Sequence, residues 1–206
     1  MVETPIFPAN PSAYGISEFA VPSASTILRL RSWTPVSSSK EPVATVGGVP
    51  LPSFVGRAEA GPTRILCVAP DDWLLVSATR SADATIENIE ADAQSQGLVC
   101  VNLTDAFAVL QLWGRAARDL LSKGCGLDMH PRHFLPGQCA RTRLAQIPVL
   151  VDCVEALPRF ALIVPRSYQA YLNSWISHFD PTVVRPCGLH RENFGASVNR
   201  PSTGFI

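Results

Sequence analysis

Short runs of alternating or wholly apolar residues recur between residues 26 and 165, and this pattern is typical of β-strands. The runs that predict strands are Thr26–Trp33, Val43–Leu51, Arg64–Ala69, Trp73–Ser77, Leu98–Leu103, Ala106–Leu112, Cys139–Leu144, Pro148–Glu155 and Arg159–Pro165. Turn-forming residues separate several of these runs. Pro70-Asp71-Asp72 predicts a hairpin, Trp113-Gly114 predicts a turn, and Ser53–Thr63, which glycine and proline interrupt, predicts a loop.

Three longer segments carry apolar residues at spacings of three and four, which favours amphipathic helices. They are Ser81–Gln96, Arg115–Lys123 and Arg166–Phe179. Ser81 suits the N-cap of the first helix, and glycines follow the first two helices as common helix ends. Single helices interrupt runs of strands, without the strand–helix alternation of a parallel sheet. The sequence therefore predicts an α+β fold with antiparallel sheets and helices packed on one face.

The proline content separates a central domain from two ends. Residues 1–25 contain Pro5, Pro8, Pro11 and Pro22, and proline fixes φ and removes a hydrogen-bond donor, so we expect an extended N-terminal arm that joins no sheet. This arm is either a frayed terminus or a segment that orders on a partner. Residues 26–179 form the α+β domain, for which two interlocked subdomains, about 26–104 and 105–179, are one arrangement. Residues 180–206 predict an irregular C-terminal tail.

Composition and charge exclude several classes of protein. Hydrophobic residues make up 47% of the 206 residues, so the chain is not a disordered protein. The formal net charge is zero and Lys and Arg are dispersed, which argues against nucleic-acid binding and mildly favours a protein that works in a complex. The sequence contains no run of 18 apolar residues and no secretory pattern at its start, so we expect no membrane span and a cytoplasmic location.

The six cysteines lack the spacing of a metal site or a disulfide framework. They are Cys67, Cys100, Cys125, Cys139, Cys153 and Cys187. Most stand inside apolar strand-like runs, so we expect buried free thiols. The alternative is a zinc site formed by Cys125, His130, His133 and Cys139, but the spacing Cys-x4-His-x2-His-x5-Cys matches no recognised zinc finger. We therefore expect no metal in this chain.

Among the acidic residues, Asp152 requires an explanation. Asp71, Asp72, Asp105 and Asp128 stand at or near predicted turns, whereas Asp152 interrupts the apolar run VLVDCV. A carboxylate in such a strand is paired, solvated at an edge, or functional. An outward-facing strand position is the simplest of these interpretations.

Four arginines, Arg141, Arg143, Arg159 and Arg166, surround the hairpin predicted from residues 139 to 155. They could bind a carboxylate or phosphate, or else remain solvated or make interface ion pairs. The sequence contains no P-loop, dinucleotide-binding, GxSxG or HExxH motif. Because no nucleophile, base and orienting group occur together, we expect no catalytic, cofactor-binding or metal-binding residue in this chain.

Several stretches together resemble one family. They are GVPLPSF (48–54), VAPDDWLLVS (68–77), residues 101–151 with the block KGCGLDMHPRHFLPGQCARTRLA, and FALIVPRSYQAYLNSWI (160–176). On these residues the chain is similar to the gamma subunit of heterotetrameric sarcosine oxidase, which belongs to the folate-binding aminomethyltransferase-like superfamily. Residues 180–206 carry no such resemblance.

The resemblance implies an accessory role in an oxidase. In this family the alpha subunit binds NAD and tetrahydrofolate, the beta subunit carries FAD and covalent FMN, and the delta subunit binds zinc. The holoenzyme oxidises N-methylglycine with O2 to glycine, hydrogen peroxide and a one-carbon unit that passes to tetrahydrofolate. The resemblance implies that this chain is a non-catalytic structural subunit without a cofactor, and that its partners are the alpha, beta and delta subunits.

A stand-alone folate-binding protein of the iron–sulfur-cluster repair or aminomethyltransferase type is the alternative. Repair proteins of the same superfamily carry a compact Lys-Gly-Cys-x-x-Gly-Gln motif. Here eleven residues separate Lys123-Gly124-Cys125 from Gly137-Gln138, so Cys125 would not take the same geometry. A binding module outside this superfamily is the third interpretation.

Overall fold

Two five-stranded antiparallel sheets form the frame of the described part of the chain. The structure is a computed structural model that describes residues 16–20, 26–33, 45–52, 56–61, 63–77, 83–114, 116–155 and 158–179. In chain order its strands are β1 (Ile16–Ala20), β2 (Thr26–Ser32), β3 (Thr45–Val46), β4 (Val49–Pro50), β5 (Arg57–Ala60), β6 (Thr63–Ala69), β7 (Asp72–Ser77), β8 (Leu98–Asn102), β9 (Phe107–Gly114), β10 (Cys139–Leu144), β11 (Ile147–Glu155) and β12 (Arg159–Pro165).

The helices of the described residues follow runs of strands. They are α1 (Asp83–Ser95), α2 (Ala117–Gly124) and α3 (Gln169–Phe179), and the 3-10 turn Arg166–Tyr168 precedes α3. The longest of them, α1, has 13 residues. Within the described ranges, no helix has both the length and the apolar character needed to cross a bilayer.

Each sheet combines strands that are distant in sequence. The N-terminal sheet has the order β5-β6-β7-β2-β8, and the C-terminal sheet has the order β1-β9-β12-β11-β10. Strands β3 and β4 form a separate hairpin whose turn is Gly47-Gly48, with φ of +57° and +77°. Glycine adopts these left-handed torsions without a Cβ clash, which is why a two-residue turn forms inside the single strand predicted over Val43–Leu51.

The two sheets stack face to face, and helices cover their outer faces. The layer between the sheets contains Ile27, Leu66, Leu74 and Val76 from the N-terminal sheet, and Val109, Leu150, Ala161 and Ile163 from the C-terminal sheet. Helices α2 and α3 cover the C-terminal sheet, while α1 and the β3–β4 hairpin cover the N-terminal sheet. Each buried large aliphatic side chain contributes about 1.5–3 kcal/mol, so these apolar layers dominate the stability of the fold. This arrangement confirms the predicted α+β class, with helices on one face of each antiparallel sheet.

Most predicted elements agree with the structure. Predicted strands end within one residue of β2, β6, β7, β8, β10, β11 and β12. The predicted buried face of α2, formed by Ala117, Leu120 and Leu121, is confirmed. The helix predicted over Arg166–Phe179 begins with a 3-10 turn. Ser81 as an N-cap and the tail 180–206 lie outside the described residues, and the domain boundaries stay predictions.

Besides the single strand predicted over Val43–Leu51, three further predictions are wrong. Arg57–Ala60, expected in a loop, form the edge strand β5. Their polar side chains do not predict a strand, and the strand forms because their backbone pairs with that of β6. Ile16–Ala20, expected in an arm outside any sheet, form β1, since this stretch contains no proline and pairs with β9. The turn expected at Trp113-Gly114 lies within β9, where Trp113 pairs with Arg159 across the sheet.

Candidate functional site

The strongest polar feature of the interior is an ion cluster between the two sheets. Asp152 lies in the middle of β11 and shares its sheet face with Leu150, so its side chain points into the inter-sheet layer, where it is fully buried. Its Oδ1 lies 3.1 Å from Nη1 of Arg57, and its Oδ2 lies 2.6 Å from Nη1 of Arg64. We call Arg57, Arg64 and Asp152 the inter-sheet ion cluster.

The inter-sheet ion cluster is nearly closed to water. The side chains of Arg57 and Arg64 are 7% and 6% exposed. Arg57 also donates to the carbonyl oxygens of Cys153 and Val154, and it reaches the half-exposed Glu59 at 3.3 Å. Two carboxylates thus balance two guanidinium groups across the sheets.

Burial governs the ionisation of this cluster. It raises the pKa of Asp152, against the charges of Arg64 and Arg57, and it lowers the pKa of Arg64, against the charge of Asp152. Both directions reflect the cost of removing charge from water, which the close contacts between the opposite charges offset only in part. Because both oxygens of Asp152 contact arginines and no surface reaches solvent, this carboxylate cannot take a proton from a substrate without disrupting the cluster.

These positions correct one interpretation of the sequence. Asp152 does not face outward: of the alternatives considered, the paired carboxylate is the one that the structure shows. Its partners lie 95 and 88 residues earlier in the chain. Sequence reasoning missed Arg57 and Arg64 as partners, because no local pattern links residues at such separations.

Burial protects two of the described thiols, Cys139 in the inter-sheet layer and Cys100 on the opposite face of the N-terminal sheet. Cys139 donates to the carbonyl oxygen of Cys67 at 3.2 Å, and burial raises its pKa to about 12. Burial also raises the pKa of Cys100 to about 11. Cys67, Cys100, Cys125, Cys139 and Cys153 are free thiols, and Cys187 lies outside the described residues. A thiolate is the reactive form of cysteine, so these shifts argue against nucleophilic use of Cys100 and Cys139.

The residues considered for zinc do not converge. His133 Nδ1 contacts the carboxylate of Asp128, and the backbone N–H of His130 donates to Asp128 at 2.8 Å on an exposed loop. These bonds, the one from His133 foremost, lower the pKa of Asp128. Cys139 instead lies in the buried inter-sheet layer, and Cys125 Sγ lies 3.5 Å from Oγ1 of Thr142. Within the described ranges, no group of three or more His, Cys, Asp and Glu side chains could hold a metal ion.

The four arginines around the β10–β11 hairpin have separate roles. Arg166 donates to the backbone carbonyls of Thr104 and Asp105, in the connection from β8 to β9, and of Phe107, the first residue of β9, at 2.7–3.1 Å. Arg159 pairs with Glu155 at 3.2 Å, whereas Arg141 and Arg143 are exposed on β10. The set therefore does not form a single anion site.

An apolar cleft of about 120 Å³ opens between the sheets on the side of Arg141. Val68, Leu74, Phe107, Val149 and Ile163 line much of it, and Arg29 and Arg141 supply its charged groups. Asp72 accepts two hydrogen bonds from Arg29, at 2.8 and 2.5 Å, and holds the pKa of that guanidinium above its ordinary value. We call this space the inter-sheet cleft. It provides apolar contact but neither a nucleophile nor a general base.

Comparisons with known proteins support one family. The profile of the "Sarcosine oxidase, gamma subunit family" matches residues 38–181. The chain is 37% identical over 129 residues to the sarcosine oxidase subunit gamma of Corynebacterium sp. (strain U-96), covering 61% of each chain. It is 35% identical over 119 residues to that of an Arthrobacter species, covering 57% of this chain and 58% of the relative. The chain thus matches about three-fifths of the length of these curated relatives.

Solved structures show the same fold. A chain of the heterotetrameric sarcosine oxidase from Corynebacterium sp. U-96, in complex with pyrrole 2-carboxylate, superposes with a TM-score of 0.68 at 24% identity, covering 84% of this chain and 89% of that one. The glycine cleavage system aminomethyltransferase T from Bartonella henselae superposes with a TM-score of 0.57 at 15% identity, covering 84% and 48%. The family match spans well over half of the chain. The chain therefore belongs to the sarcosine oxidase gamma subunit family.

Proposed function

We propose that this chain is a non-catalytic structural subunit of a heterotetrameric sarcosine oxidase. The assembly would oxidise N-methylglycine to glycine, with H2O2 and a one-carbon unit passed to tetrahydrofolate as the other products. Membership of the gamma subunit family and the likeness to a chain of a heterotetrameric oxidase support this proposal. We propose that this assembly is cytoplasmic.

The closed state of Asp152 is the observation that carries the non-catalytic part of the proposal. This residue is the carboxylate that the sequence singles out, and two arginines occupy its oxygens in a fully buried layer. A general base must be within hydrogen-bond reach of a substrate proton, which this burial prevents. The chemistry would then belong to the alpha, beta and delta subunits, with FAD, FMN, NAD, tetrahydrofolate and zinc bound there.

An affinity pull-down of the chain from its own cell extract tests the proposal. Mass spectrometry would identify the chains that copurify, and visible absorption would show whether flavin is present. We expect three further chains and a flavin spectrum. A lone, colourless chain that binds tetrahydrofolate would overturn the proposal in favour of a stand-alone folate-binding protein, the interpretation to which the aminomethyltransferase fold corresponds.

A further inference from the structure

Strand β8 ends the N-terminal sheet with an open edge. It pairs with β2 on one side, and within the described ranges no strand pairs with its other side. An unpaired edge presents a row of backbone N–H and C=O groups, which can bind an added strand. The edge therefore offers hydrogen bonds to an extended segment of another chain.

One face of this edge is apolar and exposed. The register places Val101 opposite Arg29 and Val99 opposite Arg31, and directly opposite residues share a face of the sheet. Leu30 and Cys100 lie opposite each other on the other face, in the cluster that α1 covers. Val99 and Val101 are 38% and 46% exposed even though their face is the one on which the C-terminal sheet packs elsewhere.

Two further residues extend this surface. Arg31 is exposed and makes no ion pair with any of the described residues, and Trp33, two residues later, is 78% exposed. We call Arg31, Trp33, Val99 and Val101 the β8 stripe. It is continuous with the inter-sheet cleft, because Arg29, opposite Val101, also lines that cleft.

We infer that the β8 stripe is the docking surface for an extended segment of another subunit of the oxidase, one with apolar residues at alternate positions and a carboxylate on the sheet face that Arg31 shares with Val99. The alternation follows from the period of two in a paired strand, and the carboxylate follows from the charge of Arg31. A second copy of this chain would bring another arginine-bearing stripe and no such carboxylate. This inference rests on the proposed function, because the partner is taken from the same assembly.

The test uses the assembled oxidase, recovered by a tag on this chain. The double variant Val99→Glu, Val101→Glu places two carboxylates where the segment would pack. The matched control is Leu135→Glu, since Leu135 is 45% exposed on the loop between α2 and β10. We expect the double variant to recover the other subunits at least about tenfold less than the wild type, because two unpaired carboxylates would be buried in an apolar contact. The control should recover them equally.

Several outcomes are distinguishable. Equal recovery by the double variant and the wild type would overturn the inference but leave the proposed function intact. A wild-type chain that recovers no other subunit would overturn both. If the purified double variant unfolds at the same temperature as the wild type, its lost recovery reflects lost docking. If it unfolds at a lower temperature, Arg31→Glu takes its place as the test variant. This variant reverses an exposed charge, and we expect the same loss of recovery from it.

Two measurements on the wild-type complex report on the same surface. Acrylamide should quench the fluorescence of Trp33 in the free chain and not in the complex, with Trp33→Phe as the control. Amides of residues 98–102 should exchange hydrogen more slowly in the complex, which separates strand pairing from simple apolar contact. A dimer of the isolated chain that the double variant abolishes would overturn the inference in favour of self-pairing.

Discussion

Asp152→Asn tests whether the inter-sheet ion cluster holds the two sheets together. The substitution keeps the shape of the side chain and removes the negative charge that lies 3.1 Å from Arg57 and 2.6 Å from Arg64. Arg57 keeps its hydrogen bonds to the carbonyl oxygens of Cys153 and Val154, whereas Arg64 loses its ion pair with Asp152. The effect should therefore fall mainly on the link between β11 and β6.

We expect Asp152→Asn to lower the free energy of unfolding by about 3–5 kcal/mol, because it leaves buried guanidinium charge without its counter-charge. Water cannot replace the carboxylate where the arginine side chains are only 7% and 6% exposed. The matched control is Glu155→Gln. It removes a 3.2 Å ion pair with Arg159 in which Glu155 is 47% exposed, and it should cost at most about 1 kcal/mol.

Urea unfolding of the purified chain measures both variants, with the fluorescence of the buried Trp73 and Trp113 as the signal. With a slope of about 2 kcal/mol/M, a loss of about 3–5 kcal/mol moves the midpoint by about 1.5–2.5 M. A shift for Asp152→Asn no larger than the shift for Glu155→Gln would refute the reasoning. Replacing Asp152 by Leu together with Arg57 and Arg64 by Met removes every charge of the cluster, and this triple variant should regain most of the lost stability.

The β10–β11 turn and the cysteines give three more predictions. Gln146→Gly should raise the free energy of unfolding by about 1 kcal/mol, because Gln146 has φ of +71°, and Gln146→Ala, which keeps the Cβ, should give no gain in the same urea assay. Iodoacetamide should alkylate Cys100 and Cys139 slowly at pH 8 and faster as the pH rises. Their pKa values of about 11 and about 12 leave about one thiol in a thousand or fewer as thiolate at pH 8. Mass spectrometry measures the alkylation, and equal rates in native and urea-unfolded protein would contradict this expectation. Cys125→Ser should leave the turnover of the assembled oxidase unchanged, and a loss of turnover with intact assembly would favour the folate-dependent repair interpretation.

Strands with a clear period or a continuous apolar run could be predicted from the sequence, because burial of one or both faces fixes their side-chain pattern. Arg159–Pro165 is such a strand, and its predicted ends match β12. Arg57–Ala60 could not be predicted, because RAEA is polar and becomes a strand only by pairing with β6. The extension of β9 to Gly114 likewise depends on β12, whose Arg159 pairs with Trp113.

The sequence identifies one residue of the candidate site, Asp152, but not the residues that pair with it. The sequence identifies Asp152 as a carboxylate out of place in an apolar strand, and it restricts the explanations to pairing, solvation or function. It cannot identify Arg57 and Arg64, since the contact depends on how two sheets stack after each has formed. The β8 stripe is unpredictable for the same reason: Val99 and Val101 belong to an apolar run, and only the stacking of the sheets shows that their face is exposed.

The ion cluster also restricts how the two sheets can stack. A slip of two residues along β11 would bring Leu150 or Val154 to the place of Asp152, break both ion contacts and leave buried charges apart, at a cost of about 3–5 kcal/mol. The same slip between apolar side chains of similar size costs much less, because such contacts are not directional. The triple apolar variant should therefore keep its stability while its inter-sheet packing becomes less uniform, which would appear as broadened amide resonances of β6 and β11. Sharp resonances like those of the wild type would show that apolar packing alone sets the alignment of the sheets.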